Sequence, residues 1–166
     1  MDAIECIKTR RSVRSYLEKQ IPKTTIEDII DCGRLAPSAR NTQPWEFVIV
    51  TDRDRLVELA DATDHGKFIA ESSACVAVFC ENGKYYLEDG SAATTNIVNA
   101  AHAHGVQSCW VAGDKKAYAE KVNKILNAPK NMKLVSLIAL GYSESKAMVG
   151  KRNLAEVMHW ENYNLR

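Results

Sequence analysis

Short runs of apolar residues alternate with amphipathic segments along the chain. Four of these runs are nearly continuous, which is typical of strands buried on both faces, and they span residues 47–50, 74–80, 108–113 and 134–140. Apolar residues at helical spacing predict helices that begin near residues 2, 24, 52, 87 and 114. The helix predicted at 87–104 is the longest and is closed by Gly105.

Several predicted helices begin at residues that commonly cap a helix. Asp2 precedes the first helix, and Asp52 or Asp54 precedes the third. Thr24-Thr25-Ile26-Glu27 has the spacing of a capping box, which predicts the start of the second helix. Asp114 is expected to cap the last one.

The order of the elements predicts a sheet covered by helices. Alternation of helix and strand ordinarily favours a doubly wound parallel sheet, and no repeat, linker or low-complexity segment divides residues 1–166, so we expect one domain. No glycine-rich phosphate loop follows any of the predicted strands. A phosphate site, if there is one, would therefore be built from arginines.

A basic segment follows the first predicted helix. Residues 8–14 carry four cations and no acid. If the segment is extended, Arg10, Ser12 and Arg14 point to one side and Val13 to the other. Two guanidinium groups flanking a hydroxyl suit a phosphate, because each planar fork offers paired donors. The alternative is a solvated basic surface.

A polar loop lies between the second helix and the first strand. Pro37 and Pro44 bracket a run of Ser, Arg, Asn, Thr and Gln, and each proline disfavours helix at the residue before it. Loops fixed between rigid elements often carry binding groups. Taken alone, however, this loop is better interpreted as a turn whose polar side chains bond their own backbone.

Composition limits the partners. With a net charge of +1 and 46% hydrophobic residues, the chain gives no global reason to expect nucleic acid or an acidic membrane as partner. No secretory signal or membrane-spanning run is visible. The five cysteines are odd in number and lack C-x-x-C spacing, so we expect reduced, mostly buried thiols in a cytoplasmic protein.

Several motifs occur along nearly the whole chain. Their order is known from one protein family. They are Arg10-Arg11-Ser12-Val13-Arg14, Ala36-Pro37-Ser38, Asn41, Gln43-Pro44-Trp45, Glu88-Asp89-Gly90-Ser91-Ala92-Ala93, Asn96-Ile97, Ala100-Ala101-His102, Gly105, Ser108-Cys109-Trp110-Val111 and Leu140-Gly141-Tyr142. Together they resemble the nitroreductase-like family of FMN-dependent oxidoreductases.

The resemblance implies a fold and an assembly. The fold would be α+β, a three-layer α/β/α arrangement with a mixed, mainly antiparallel sheet, which replaces the parallel sheet expected from alternation. The protein would be a homodimer with FMN at the interface. The C-terminal tail would extend over the other subunit, giving Trp160 and Tyr163 a surface on which to dock.

The resemblance also assigns residues to FMN. Arg10 and Ser12 would bind the phosphate with Lys151 or Arg152, and Arg14 would lie near the pyrimidine edge. Pro37, Ser38 and Asn41 would line the ring from the partner, Ala112-Gly113 would present backbone near N5, and Lys67 would lie near the ring. The full set is Arg10, Arg11, Ser12, Arg14, Pro37, Ser38, Ala39, Asn41, Lys67, Ala112, Gly113, Lys151 and Arg152. Three departures are Ala39, where many members have a second serine, Arg40, which adds a charge beside the expected cofactor, and the short segment 80–87.

The implied function is ping-pong reduction of a small acceptor, nitroaromatic or quinone, by NADH or NADPH. Because hydride enters and leaves at flavin N5, no catalytic residue or metal is expected. One alternative is a specialised relative that uses FMN for dehydrogenation, dehalogenation or flavin cleavage. Others are a flavin-binding protein without turnover and a domain that binds another anion.

Overall fold

Four strands form one antiparallel sheet in the computed structural model, which describes residues 1–145 and 149–163. The strands are β1 (Trp45–Val50), β2 (Ala74–Glu81), β3 (Gln107–Ala112) and β4 (Met132–Gly141). Their order across the sheet is β1-β2-β4-β3, and every neighbouring pair is antiparallel. The long β2 and β4 are therefore central, and β1 and β3 form the edges.

Five α-helices are present in the described residues. They are α1 (Ala3–Thr9), α2 (Lys23–Arg34), α3 (Arg53–Ala62), α4 (Tyr86–Ala103) and α5 (Ala119–Ile125). Short 3-10 turns span Ala39–Asn41, Lys67–Glu71 and Leu154–Glu156. Asp2 and Asp52 cap α1 and α3 as predicted, accepting from the backbone N–H groups of Ile4 and Arg55 at 3.0 Å.

Two predicted caps are wrong. The Thr24 side chain does not cap α2, because the helix begins earlier, at Lys23, and the carbonyl of Pro22 accepts from Thr25 N (3.0 Å) and Ile26 N (3.1 Å). Asp114 does not cap α5, which begins only at Ala119. Its carboxylate instead accepts a hydrogen bond from the Tyr86 hydroxyl.

Helices cover both faces of the sheet. On one face, α2 and α4 pack on alternate residues of the strands, among them Val76, Val78 and Ile138. On the other face, α3 and α5 pack on the intervening residues, such as Ala77 and Leu137. Each fully buried aliphatic side chain contributes roughly 1.5–3 kcal/mol through the hydrophobic effect, so these two clusters hold the three layers together.

The fold predicted from the resemblance is confirmed, and the parallel sheet favoured by simple alternation is wrong. The one parallel contact in the described part of the chain is an isolated bridge between Ser12 and Ser108, outside the main strand pairings. No described helix is both long and apolar enough to cross a bilayer.

Candidate functional site

The basic segment leaves α1 and runs beside the edge strand β3. The backbone N–H of Val13 donates to the carbonyl of Ser108 at 3.0 Å, and Ser12 forms the parallel bridge with the same residue. Val13 is buried (3% exposed), whereas Arg14 remains exposed. The segment is thus held extended, and its side chains alternate as the sequence predicts.

The basic segment lies beside the buried thiol of Cys109. Burial raises the pKa of Cys109, and the rise is opposed first by the positive charge of Arg14, then by Ser12 and by the charge of Arg10. Ser12 is bridged to Ser108, the neighbour of Cys109 on β3, and alternation along the extended segment puts Arg10, Ser12 and Arg14 on one side. Neither guanidinium forms an ion pair with any carboxylate in residues 1–145 and 149–163.

Arg11 points elsewhere. One of its terminal nitrogens donates to the carbonyls of Lys8 and Arg10, both at 2.8 Å, and so closes the end of α1. Its predicted contact with a cofactor therefore competes with a local structural role.

Arg14 is oriented by an aromatic ring. Its guanidinium carbon lies 6.0 Å from the centroid of Phe68, at the outer limit of a cation–π contact. The neighbouring Lys67 places its ammonium 3.5 Å from an Asp61 carboxylate oxygen. The turn Lys67–Glu71 therefore borders the site on the Arg14 side. The charge of Lys67 is partly balanced by Asp61, and both side chains are exposed.

Ala112 and Gly113 end β3. The N–H of Gly113 donates to the carbonyl of Val135 at 3.0 Å. A Cβ at this position would lie 2.6 Å from Cγ of Leu134 and 3.0 Å from the backbone carbon of Val135. Only glycine fits so close to β4, which fixes the path of the backbone predicted to approach a flavin.

The loop that contains Pro37 and Ser38 is strained and anchored. Arg40, Asn41 and Gln43 have positive φ values of 55°, 58° and 48°, and such conformations cost of order 1–3 kcal/mol each. The Ser38 hydroxyl accepts from Gln43 N at 3.0 Å, which is the local bonding expected of a polar turn.

The anchor of this loop lies in α4. Ala39 N donates to a carboxylate oxygen of Asp89 at 2.9 Å, and Asp89 is only 6% exposed. Strained residues persist only where the surrounding structure fixes them, and they cluster at functional sites.

The loop and the basic segment are attached to opposite ends of α4. Ala39 is bonded to Asp89 in the first turn, whereas the Thr9 hydroxyl lies 2.9 Å from Nε2 of His102 in the last turn. At a rise of 1.5 Å per residue, these two points on the helix are about 20 Å apart. The anchoring points of the loop and of the basic segment are therefore well separated along this helix.

The two late candidates lie on an exposed tail. Arg152 is bonded within the tail, to the carbonyl of Glu156 at 2.8 Å and to its carboxylate at 3.5 Å. Lys151 is exposed and forms no ion pair with a described residue. The surrounding apolar side chains are also exposed, notably Leu154 (68%), Trp160 (74%) and Tyr163 (80%).

The described chain contains no cluster of three or more His, Cys, Asp or Glu side chains that could hold a metal ion. The five thiols are all free, and four of them are buried.

The family model described as the nitroreductase family matches residues 7–80 and 81–142. The chain belongs to the nitroreductase family.

Relatives of this nitroreductase family member agree in sequence and in fold. A protein from Archaeoglobus fulgidus, named as a candidate NADH dehydrogenase/NAD(P)H nitroreductase, is 36% identical over 152 residues, covering 86% of this chain and 87% of the other. A crystal structure from Bacteroides thetaiotaomicron with the same name superposes with a TM-score of 0.92 at 31% identity, covering 97% and 98% of the two chains. An FMN-dependent nitroreductase from Clostridium difficile superposes with a TM-score of 0.91 at 26% identity, covering 96% and 99%.

The site includes residues that the sequence did not single out as binding groups. Phe68 lies near Arg14, Cys109 lies beneath the basic segment, and Asp89 holds the strained loop. The sequence did contain a signal for Asp89, because it is an acid directly before Gly90 on a helix face of small residues. No local pattern indicated Phe68, because its contact depends on how the turn packs against a distant segment.

Proposed function

We propose that this nitroreductase family member is an FMN-dependent oxidoreductase that uses NADH or NADPH to reduce a small acceptor of the nitroaromatic or quinone type. The observation that carries the proposal is the extended basic segment beside β3, which puts Arg10, Ser12 and Arg14 on one side while neither guanidinium has a carboxylate partner in the described chain. The names of the Archaeoglobus and Clostridium relatives support the same reductant and cofactor.

The basic segment fits the phosphate of FMN. Two guanidinium groups and a hydroxyl on one side of an extended backbone offer several donors to a single anion. Charge-assisted bonds of this kind contribute about 1.5–3 kcal/mol each. Lys151, whose ammonium forms no ion pair with a described residue, is a better late phosphate ligand than Arg152, which is bonded to Glu156.

When bound, FMN would supply a group that accepts and donates a hydride at its N5 atom. Arg14, whose guanidinium lies near Phe68, would stabilise the negative charge that develops near the pyrimidine edge, because it is a cation. Ala112 and Gly113 would present backbone at the reactive edge, where a larger residue at 113 would collide with Leu134 and Val135. This chain would therefore orient the ring and leave one face open, without an acid or base of its own.

A second copy of the chain would complete the site. Because the loop of residues 37–41 is anchored about 20 Å along α4 from the basic segment, we propose that the partner's loop walls the ring in a homodimer. The exposed Trp160 and Tyr163 would then be covered by the partner. Free thiols throughout the described chain are in keeping with a reducing, cytoplasmic location. The single sheet, with a buried cluster on each face, supports one domain over residues 1–166.

The deciding experiment is an absorbance spectrum of the purified protein, recorded anaerobically before and after addition of NADH or NADPH. We expect the yellow spectrum of oxidised flavin, bleaching by at least one nicotinamide and recovery on addition of a quinone or nitroaromatic. Parallel double-reciprocal plots in the steady state would identify the ping-pong order.

Other results would replace this function by a specific alternative. A yellow protein that neither nicotinamide bleaches would be a flavin-binding protein or a specialised FMN enzyme. A colourless protein that FMN does not stabilise against heat would refute the flavin site and leave a domain that binds another anion.

A further inference from the structure

A cleft of about 880 Å³ lies outside the predicted FMN contacts, between the turn that follows β3, helix α5 and the start of β4. Its lining is unusually rich in lysine. The lysines are Lys115, Lys116, Lys124, Lys130 and Lys133, and they come from all three elements. The only acids in the lining are Asp114 and Glu120. The cleft is therefore positively charged and would concentrate anions.

Most of this charge is unpaired. The Asp114 carboxylate already accepts from the Tyr86 hydroxyl and lies 3.8 Å from the Lys115 ammonium. The four other lysines form no ion pair with a carboxylate in residues 1–145 and 149–163. All five are exposed, so their ammonium groups are free to reach a ligand.

One polar atom beneath the cleft lacks a partner. Asn123 lines the cleft, and while its Nδ2 donates to the carbonyl of Met132 at 3.4 Å, its Oδ1 is buried and has no hydrogen-bond partner among the described residues. Because that oxygen is closed off from solvent, it does not identify the ligand. The lysines do, and their spread over the cleft suits an extended anion such as the pyrophosphate of a dinucleotide.

The cleft adjoins the backbone assigned to the reactive edge of the flavin. Its lining begins at Asp114, directly after Gly113. Leu134 belongs to the lining and is also the residue 2.6 Å from where a Cβ of Gly113 would lie. A molecule whose reactive end lay at Gly113 could thus extend its other end into the lysines.

We propose that this cleft binds the phosphorylated adenosine half of NADH or NADPH while the nicotinamide lies against the flavin. The identity of the nucleotide rests on the proposed function, whereas the cleft and its charge do not. The lysines would bind the pyrophosphate.

The test uses the full-length, FMN-loaded protein and a matched pair of substitutions on α5. Lys124→Glu changes a lysine of the cleft, and Lys121→Glu changes an exposed lysine of the same helix that lies outside the lining. Lys116→Glu is a second cleft variant on a different element. Two reductants are compared: the preferred dinucleotide and N-benzyl-dihydronicotinamide, which lacks phosphate and adenosine.

Each cleft variant should raise KM for the dinucleotide about tenfold, the change that corresponds to 1.4 kcal/mol, with kcat/KM for the benzyl analogue unchanged. Lys121→Glu should behave as the parent with both reductants. An unchanged KM for the dinucleotide in both cleft variants, or an equal loss with the benzyl analogue, would overturn the proposal.

Direct binding separates this proposal from the proposed function. ADP titrated into the FMN-loaded parent by calorimetry should bind, and binding should weaken about tenfold in Lys124→Glu but not in Lys121→Glu. If the nicotinamides fail to reduce the flavin while ADP still binds in this pattern, the oxidoreductase assignment fails and the nucleotide cleft stands. If the flavin is reduced but ADP does not bind, or pyrophosphate binds as tightly as ADP, the nucleotide cleft is wrong.

Discussion

Arg10 and Arg14 lie on the extended segment beside β3, and their guanidinium groups have no carboxylate partner in the described chain. An unpaired arginine on an open surface is ordinary, but two that flank a serine on one side of an extended segment form a set of donors. The position of Arg11 shows the contrast, because its donors are used by the carbonyls of Lys8 and Arg10.

Replacing Arg10 by alanine should weaken FMN binding by roughly 10- to 100-fold, since a charge-assisted bond is worth about 1.5–3 kcal/mol. The measurement is the dissociation constant of FMN by fluorescence quenching. Arg34→Ala, which removes an exposed guanidinium 2.6 Å from Asp31, is the control and should leave FMN binding unchanged. Equal FMN affinity in the Arg10 variant and the parent would remove Arg10 from the site.

His102 should make the protein less stable at acid pH. Burial lowers its pKa below the ordinary 6.5, and Arg10 and Arg11 lower it further against a smaller opposing effect of Glu5. The unfolded chain then binds more protons than the folded chain below about pH 6.5, so the free energy of unfolding falls as pH decreases through that range.

Urea unfolding between about pH 7.5 and 5.5 measures this effect. The decrease should be smaller in His102→Gln than in the parent, whereas His65→Gln, on an exposed turn, should retain the parental dependence. The same decrease in all three proteins would show that His102 contributes nothing to it.

At the scale of elements, the strands were the most predictable part of the fold. Continuous apolar runs such as residues 74–80 are long enough for a strand and too short for a buried helix, and the structure extends this run by only one residue, to Glu81. The start of α2 was not predicted correctly. Thr24 and Glu27 have the spacing of a capping box, but the cap is Pro22, two residues before Thr24, and the helix begins at Lys23. The spacing of capping residues in a sequence does not show which backbone carbonyl accepts the first hydrogen bonds of the helix.

Local sequence patterns did not predict the direction or the order of the strands. Alternation of helix and strand is compatible with parallel and antiparallel sheets, and only the packing of distant segments places β4 between β2 and β3. The basic segment was predictable as a donor set from its residue types. Its neighbours Phe68 and Cys109 were not, because they are distant in sequence and become neighbours only after folding.

Helix α4 depends on Gly90 to approach the sheet. A Cβ there would lie 2.6 Å from a methyl of Val135 and 2.8 Å from Sγ of Cys80. Gly90→Ala gains up to about 1 kcal/mol of helix propensity, but overpacking a closed core costs about 1–3 kcal/mol. We expect a net destabilisation of about 1 kcal/mol by urea unfolding, with Gly150→Ala, which meets nothing within 4 Å, near the parent. An increase in stability on Gly90→Ala would show that the layers separate freely at this point.

At the scale of the whole molecule, apolar surface is concentrated near both chain ends. Ile4 and Ile7 on α1 are 57% and 61% exposed, and the tail adds Leu154, Trp160 and Tyr163 at 68%, 74% and 80%. Large aromatic side chains that are exposed in one chain are typical of surfaces covered by a partner.

A chain that ends at residue 159 should form a weaker dimer, with a dissociation constant raised at least about tenfold, because it lacks the most exposed aromatic anchors. Analytical ultracentrifugation over a dilution series measures this. Val57→Ala, which trims an apolar residue that is 41% exposed on α3, should not change the dimer. A truncated chain that remains dimeric at the same dilution as the parent would show that the tail is not part of the interface.

The length of α4 has a genetic consequence. If each flavin is held by the basic segment of one subunit and the loop of the other, a chain damaged at Arg10 and a chain damaged at Asn41 should each be inactive alone. Co-expressed, they would form mixed pairs in which one site carries both lesions and the other carries none. Restored turnover in the mixture, absent from either pure variant, would be intersubunit complementation produced by a helix too long for one chain to bridge.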